Sequence, residues 1–149
     1  MALRIELQNE DSLDGVPPAR QFESWVGAAL QQPYPDLEQT IRIVDLPESR
    51  ALNRRYRDVD AATNVLAFPG GHELLDYACL GDLVICAPVV AREAAEQGKA
   101  AEAHWAHMVV HGILHLQGFD HRDDAGAAHM EALEIIILDT LGYTNPYND

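Results

Sequence analysis

The sequence predicts an α+β fold, a single domain over residues 1–149 in which a small mixed β-sheet of about four strands packs with about five helices. Three observations predict it. The chain opens strand–helix–strand–helix, it carries no repeat or internal linker, and it closes on long helical stretches, the first apolar almost all round. The expected order is β-α-β-α-β-β-α-α-α.

Leu3, Ile5 and Leu7 alternate with Arg4 and Glu6, the period-two pattern of a half-buried strand. Val16-Pro17-Pro18 opens a helix running to about Leu30, with Phe22, Trp25, Val26, Ala29 and Leu30 on its inner face; Pro33 and Pro35 stop it. Ile41 and Ile43 flank Arg42 in a second strand that closes at Asp45. Pro47 suits a first helical turn, where its missing N–H costs nothing, so a helix runs from there to about Arg57. Val65-Leu66-Ala67-Phe68 is a short strand ended by Pro69-Gly70-Gly71, and Leu80 to Cys86 is another. Pro88 begins a helix that Gly98 ends; Ala100 to Gln117 and Asp123 to Leu141 are helices stopped by Gly118 and Gly142. The acidic Glu131, Glu134 and Asp139 are read as the solvated side of the last helix.

Composition narrows the function classes. With 48% hydrophobic and 23% charged residues the chain has the makeup of a soluble globular domain. No stretch approaches the roughly 18 apolar residues of a membrane span, and the N-terminus carries no apolar stretch of signal-peptide length. A cytoplasmic location and no membrane partner are expected. Cys79 and Cys86 are expected to be reduced thiols, their spacing being wrong for a redox CxxC pair. The net charge of −14 argues against a nucleic-acid partner, since phosphate binding draws on Lys and Arg. Yet Arg50, Arg54, Arg55 and Arg57 crowd into one eight-residue window, so one patch of surface has a positive field.

His104, His107, His111 and His115 recur at steps of three and four, which brings all four to one face of the long helix. The segment His111-Gly112-Ile113-Leu114-His115-Leu116-Gln117-Gly118-Phe119-Asp120-His121 is more specific. His111 and His115 lie one turn apart and reach a single ion. Gly118 permits the left-handed backbone that turns the chain, so His121 approaches the same ion from another direction. Three nitrogens with an open fourth position describe a catalytic zinc site, one zinc per chain, at the end of the long helix. Asp120 is placed to orient a ligand imidazole. His104 and His107 are either packed or substrate-facing; His72 and His129 carry no supporting pattern. The spacing equals that of the metzincin peptidases, H-E-x-x-H-x-x-G-x-x-H, but Gly112 stands where those enzymes carry the glutamate base.

On a helical wheel Arg50, Asn53, Arg54 and Arg57 gather on one side, with Leu52, Tyr56 and Val59 on the other, so a helix buried through Leu52 and Tyr56 presents its arginines outward. Guanidinium suits phosphate because its planar fork donates two hydrogen bonds and keeps its charge.

Together these segments resemble the YbeY family of endoribonucleases. HGILHLQGFDH is similar to that family's HGxLHLxGxDH signature, LNRRYRDVDAATNVLAFP to LNxxYRxxxxxTDVLSFP, and Gly81-Asp82-Leu83-Val84-Ile85 to its GDIxI strand. Asn64 and Ala67 depart from the family's Asp and Ser. The resemblance implies one zinc held by His111, His115 and His121, with His111 and Arg57 at the catalytic centre. It implies endonucleolytic cleavage of single-stranded RNA in 3′-end maturation of small-subunit rRNA and in ribosome quality control. Implied partners are the rRNA precursor, the small ribosomal subunit and its assembly factors, with no DNA. Arg54, Arg50 and His107 are further candidates for holding substrate, and His107 for the general base. The rival readings are a non-catalytic, zinc-stabilised ribosome assembly factor and a metallopeptidase-like hydrolase; Gly112 counts against the second, since it removes the group that activates water.

Overall fold

A computed structural model describes residues 2–34, 36–70, 79–120 and 122–148. Its elements are β1 (Ala2–Gln8), α1 (Ala19–Ala29), β2 (Asp36–Val44), α2 (Leu46–Arg57), β3 (Val65–Pro69), β4 (Gly81–Cys86), α3 (Ala87–Glu96), α4 (Ala101–Leu116) and α5 (Asp124–Thr140). This is the expected order, with boundaries within a few residues of the expected ones. Pro35, Gly71 and His72 lie outside the described residues.

The four strands form one mixed sheet in the order β1-β2-β4-β3. β1 runs parallel to β2 and β2 to β4, while β3 lies antiparallel to β4 with Val65 opposite Ile85 and Pro69 opposite Gly81. Gly81 starts β4 at φ +129°, and a Cβ there would stand 2.2 Å from the carbonyl oxygen of Phe68, so only glycine lets the two strands meet at this point.

One face of the sheet carries the main core. Alternation along β2 buries Leu37, Gln39, Ile41 and Ile43, and Ile41 and Ile43 join the main core cluster with Phe22, Trp25, Val26, Trp105, Val109 and Ile113 of α1 and α4. Phe22 sits edge-on to both Trp25 and Trp105, at ring centroids 5.4 and 5.8 Å apart. Each fully buried apolar side chain of this kind contributes about 1.5–3 kcal/mol. The second face is covered at one end only: Val44, Leu66, Val84, Cys86 and Val89 form a small cluster with Leu52, Ala62 and Phe68 packed on it. That double coverage explains why β4 is almost continuously apolar, as a strand buried on both faces should be.

The expected orientation of α2 holds for Leu52, which packs on the small cluster, and for the exposed Arg50, Arg54 and Arg57, and is corrected for the rest. Its buried residues are Ser49 and Asn53, whereas Tyr56 is 55% exposed and Val59 lies at the surface. Polar stapling decides this. Ser49 Oγ donates to Thr63 O and accepts from Thr63 N at 3.0 and 2.9 Å, and Asn53 Nδ2 donates to Ala61 O at 2.8 Å. The helix thus turns its polar residues inward to hold the loop that leads into β3.

Cys79 and Cys86 are both free thiols, as expected from their spacing. No helix among the described residues is long and apolar enough to cross a membrane.

Candidate active site

α4 is the centre of the domain. Its apolar residues from Trp105 to Leu114 are buried between α1, α3, α5 and the sheet. Gly112 permits the close approach to β4: a Cβ there would lie 2.2 Å from Leu83 Cδ1. The last turn ends at Leu116, and Gly118 at φ +102° turns the chain away as its left-handed conformation predicts.

The histidine row runs from the core to the surface. His104 and His107 are buried, while His111 and His115 are half-buried and line a cleft of about 450 Å³. The opposite wall of this cleft is Val65 to Phe68 of β3, with Tyr56 and Arg57 from the end of α2 and Asp120 and Arg122 from the loop after α4. Arg57 is delivered by the helix stop. Asp58 takes the left-handed conformation at φ 58°, its N–H bonds back to Arg54 O, and the chain is stapled toward β3. Arg57, His111 and His115 therefore face one space. His121 lies outside the described residues. A larger groove of about 700 Å³ runs along the other face of the sheet past Glu6, Glu38, Arg42 and Asp82 and shares the Tyr56–Phe68 edge with the cleft. Among the described residues no histidine lines it, whereas His111 and His115 line the smaller cleft.

Three expected contributors stand elsewhere. Arg50 is exposed and paired with Asp60, its Nε 2.7 Å from Oδ1 and its Nη2 3.0 Å from Oδ2. Arg54 is exposed on the same outer surface and does not line the cleft. His107 stands behind His111 and His115 and lines a rear cavity beside the C-terminal residues Tyr143 to Pro146. Burial among apolar helices, not exposure to substrate, is what its position provides.

Glu134 overturns the reading of α5. Far from lying on the solvated side, it is 1% exposed, while Glu131 and Asp139 are at the surface as expected. Its Oε1 accepts from His107 Nε2 at 2.6 Å and from Tyr147 Oη at 2.8 Å, and its Oε2 accepts from His111 Nδ1 at 3.3 Å. Burial alone would raise this carboxyl; the hydrogen bonds and charge of His107 and His111 outweigh it and hold it down at about 2. The sequence did contain the signal. Met130, Glu134, Ile137 and Leu138 follow the i, i+4, i+7, i+8 stripe that faces a core, which places one carboxylate opposite the histidine row.

A parallel contact lies one turn deeper. His104 Nε2 is 2.9 Å from Glu93 Oε1, and burial pushes the imidazole down in pKa against the opposing pull of that carboxylate. Asp120, expected to orient a ligand imidazole, lines the cleft and accepts from Arg122 N at 3.2 Å, and Glu134 is a carboxylate that holds His111.

A family model described as Endoribonuclease YbeY matches residues 6–142. The chain belongs to the YbeY family. It is 54% identical over 149 residues to the Endoribonuclease YbeY of Pseudomonas fluorescens, covering 99% of this chain and 97% of that one. The YbeY protein of Stutzerimonas stutzeri is 55% identical over 146 residues, with 96% and 91% covered. The solution structure of the Thermotoga maritima protein TM1509 shares the fold at a TM-score of 0.57 and 23% identity, over 99% of each chain. The resemblance read from the histidine and arginine segments is thus that of the whole chain.

As a donor set, the site suits zinc. His111 and His115 stand on one wall one turn apart, and a buried carboxylate faces the Nδ1 of His111, so in the neutral ring the lone pair of His111 lies on Nε2.

Proposed function

We propose that this protein is a zinc-dependent endoribonuclease that cleaves single-stranded RNA, acting in the cytoplasm in 3′-end maturation of small-subunit rRNA and in ribosome quality control. The observation that carries this reading is the meeting of Arg57 with His111 and His115 in one cleft, in a chain of the YbeY family. His111, His115 and His121 would hold one zinc. Bound there, the ion would polarise a phosphate oxygen and lower the pKa of a water toward about 7.

The residues of the chain divide the remaining work. Arg57 presents a planar fork to the scissile phosphate and stabilises the charge that grows on its oxygens. Val65 to Phe68 form the wall of the cleft opposite the histidines. The surface is otherwise acidic, at −14 overall, so RNA is drawn to the arginine end of α2 and repelled elsewhere. The partners that follow are the rRNA precursor, the small ribosomal subunit and its assembly factors. Gly112 favours RNA over peptide hydrolysis, because its missing side chain would enter the space of Leu83, and a glutamate there would be driven into the core.

The test is cleavage of a single-stranded RNA copied from the rRNA 3′ precursor, with zinc-loaded and chelated protein side by side. Cutting that vanishes with the chelator and returns with zinc supports the reading. One bound zinc without cutting, on free RNA and on intact small subunits alike, rejects it in favour of an assembly factor in which zinc serves the fold.

A further inference from the structure

Glu134 has three donors and no solvent. Two come from α4, one turn apart, and the third from the C-terminal tail. The ring of Tyr147 also stands edge-on to His107, at centroids 5.4 Å apart, and its hydroxyl is 3.3 Å from His107 Nε2. A carboxylate only accepts hydrogen bonds, so each partner must present a hydrogen to it. In the neutral imidazole that metal binding requires, this fixes the tautomer of His111: the hydrogen sits on Nδ1 and the lone pair on Nε2. For His107 it places the hydrogen on Nε2. In the neutral ring His107 Nδ1 is then an acceptor, and it is buried with no hydrogen-bond partner. An orphaned acceptor is a cost the fold bears to keep the clamp.

We propose that Glu134 is the positioning residue of the metal site, fixing the tautomer and ring orientation of His111, and that His107 and the C-terminal Tyr147 hold Glu134 for this task. His107 on this view neither binds substrate nor moves a proton. It acts through Glu134. The segment after α5 becomes part of the site although it does not line the cleft. The inference rests on the zinc reading above, and extends it to residues that no ligand motif contains.

The discriminating variant is Glu134→Gln. It keeps size and polarity but replaces one acceptor oxygen with a donating amide. His107 and Tyr147 both donate to the same oxygen, so the amide oxygen stays with them and the NH₂ faces His111. His111 must then accept at Nδ1 and carry its hydrogen on Nε2, the nitrogen needed for the ion. Zinc affinity, measured by competition with a chromophoric chelator, is expected to fall about 10–100-fold. Nitrogen-15 NMR of the metal-free proteins should find His111 protonated on Nδ1 in the wild type and on Nε2 in the variant. Tyr147→Phe touches a residue that is 45% exposed and leaves the fold intact; it should weaken zinc by about threefold, the share of one hydrogen bond. Unchanged zinc affinity in Glu134→Gln and Tyr147→Phe, or the same His111 tautomer with and without Glu134, overturns the proposal. A wild type that binds no zinc rejects the zinc reading instead, and the tautomer comparison still decides the role of Glu134. If Glu134→Gln does not fold, Tyr147→Phe decides by its zinc affinity.

Discussion

Asn64 donates its amide hydrogens to both carboxylate oxygens of Glu93, at 2.9 and 3.3 Å, while its own oxygen accepts from Val65 N at 2.6 Å. The position is the one where the family's motif carries Asp. Glu93 also meets His104 on α4, so Asn64 links the entrance of β3 to the buried end of the histidine row. Asn64→Asp sets two carboxylates against each other at a site where the Glu93 side chain is 25% exposed. It should cost about 1–2 kcal/mol at neutral pH and less in acid, read from urea unfolding. Equal stability at both pH values would show that the amide does not matter.

Gly112 and Leu83 form a second pair that sequence alone does not reveal. Gly112→Ala should destabilise the fold by about 1–3 kcal/mol, because the added methyl meets a fully buried leucine. Trimming Leu83 to Ala opens the space. The double variant should therefore lose less than the two single losses together, in a thermal unfolding cycle.

Arg57 and Arg50 separate cleft from surface. Arg57→Ala should retain zinc and fold and cut RNA about 10²–10³-fold more slowly. Arg50→Ala removes only an exposed pair with Asp60 and should leave cleavage within about twofold. Single-turnover cleavage on one RNA substrate measures both, and equal losses would remove Arg57 from the centre.

His115→Ala should lose zinc and cleavage together, and chelation should reproduce it in the wild type. A bound ion stabilises only the folded state, so zinc at 100 times its Kd should raise wild-type stability by about 2.7 kcal/mol. Calorimetry with and without zinc should find that gain in the wild type and miss it in His115→Ala.

His104 makes acid costly. Burial lowers its folded pKa below the ordinary value of 6.5, so the unfolded chain takes up the proton first as pH falls. Stability from the neutral imidazole is fully present above pH 6.5 and is lost as pH falls below it. His104→Gln, which keeps a donor for Glu93, should lose less stability between pH 7.5 and 5 than the wild type, in urea titrations with chelator present.

Periodicity carried the elements. Alternation in β1 and β2, prolines at helix starts and glycines after α4 are local rules, and each boundary followed from residues within a few positions of it. The HGILHLQGFDH segment was legible for the same reason, since His111 and His115 are neighbours through helix geometry alone. Arg57 required the resemblance as well, because a charge run on a wheel does not say which wall it will face. The wheel placed Leu52 and the arginines of α2 correctly but misjudged Asn53 and Tyr56: Ser49 and Asn53 are inside because loop carbonyls at Thr63 and Ala61 accept from them, and those partners lie across a turn.

Glu134 marks the boundary between the two kinds of knowledge. By itself the sequence determined the α+β order, the two imidazoles on one face of α4 and the helix end at Gly118, all consequences of short-range backbone geometry. Only the tertiary structure decided that Glu134 holds His111, where His107 belongs, and that the tail reaches back through Tyr147. Those contacts join residues 13 to 40 positions apart. Their hydrogen bonds exist only once α5 packs on α4 and excludes the water that would otherwise satisfy each group separately.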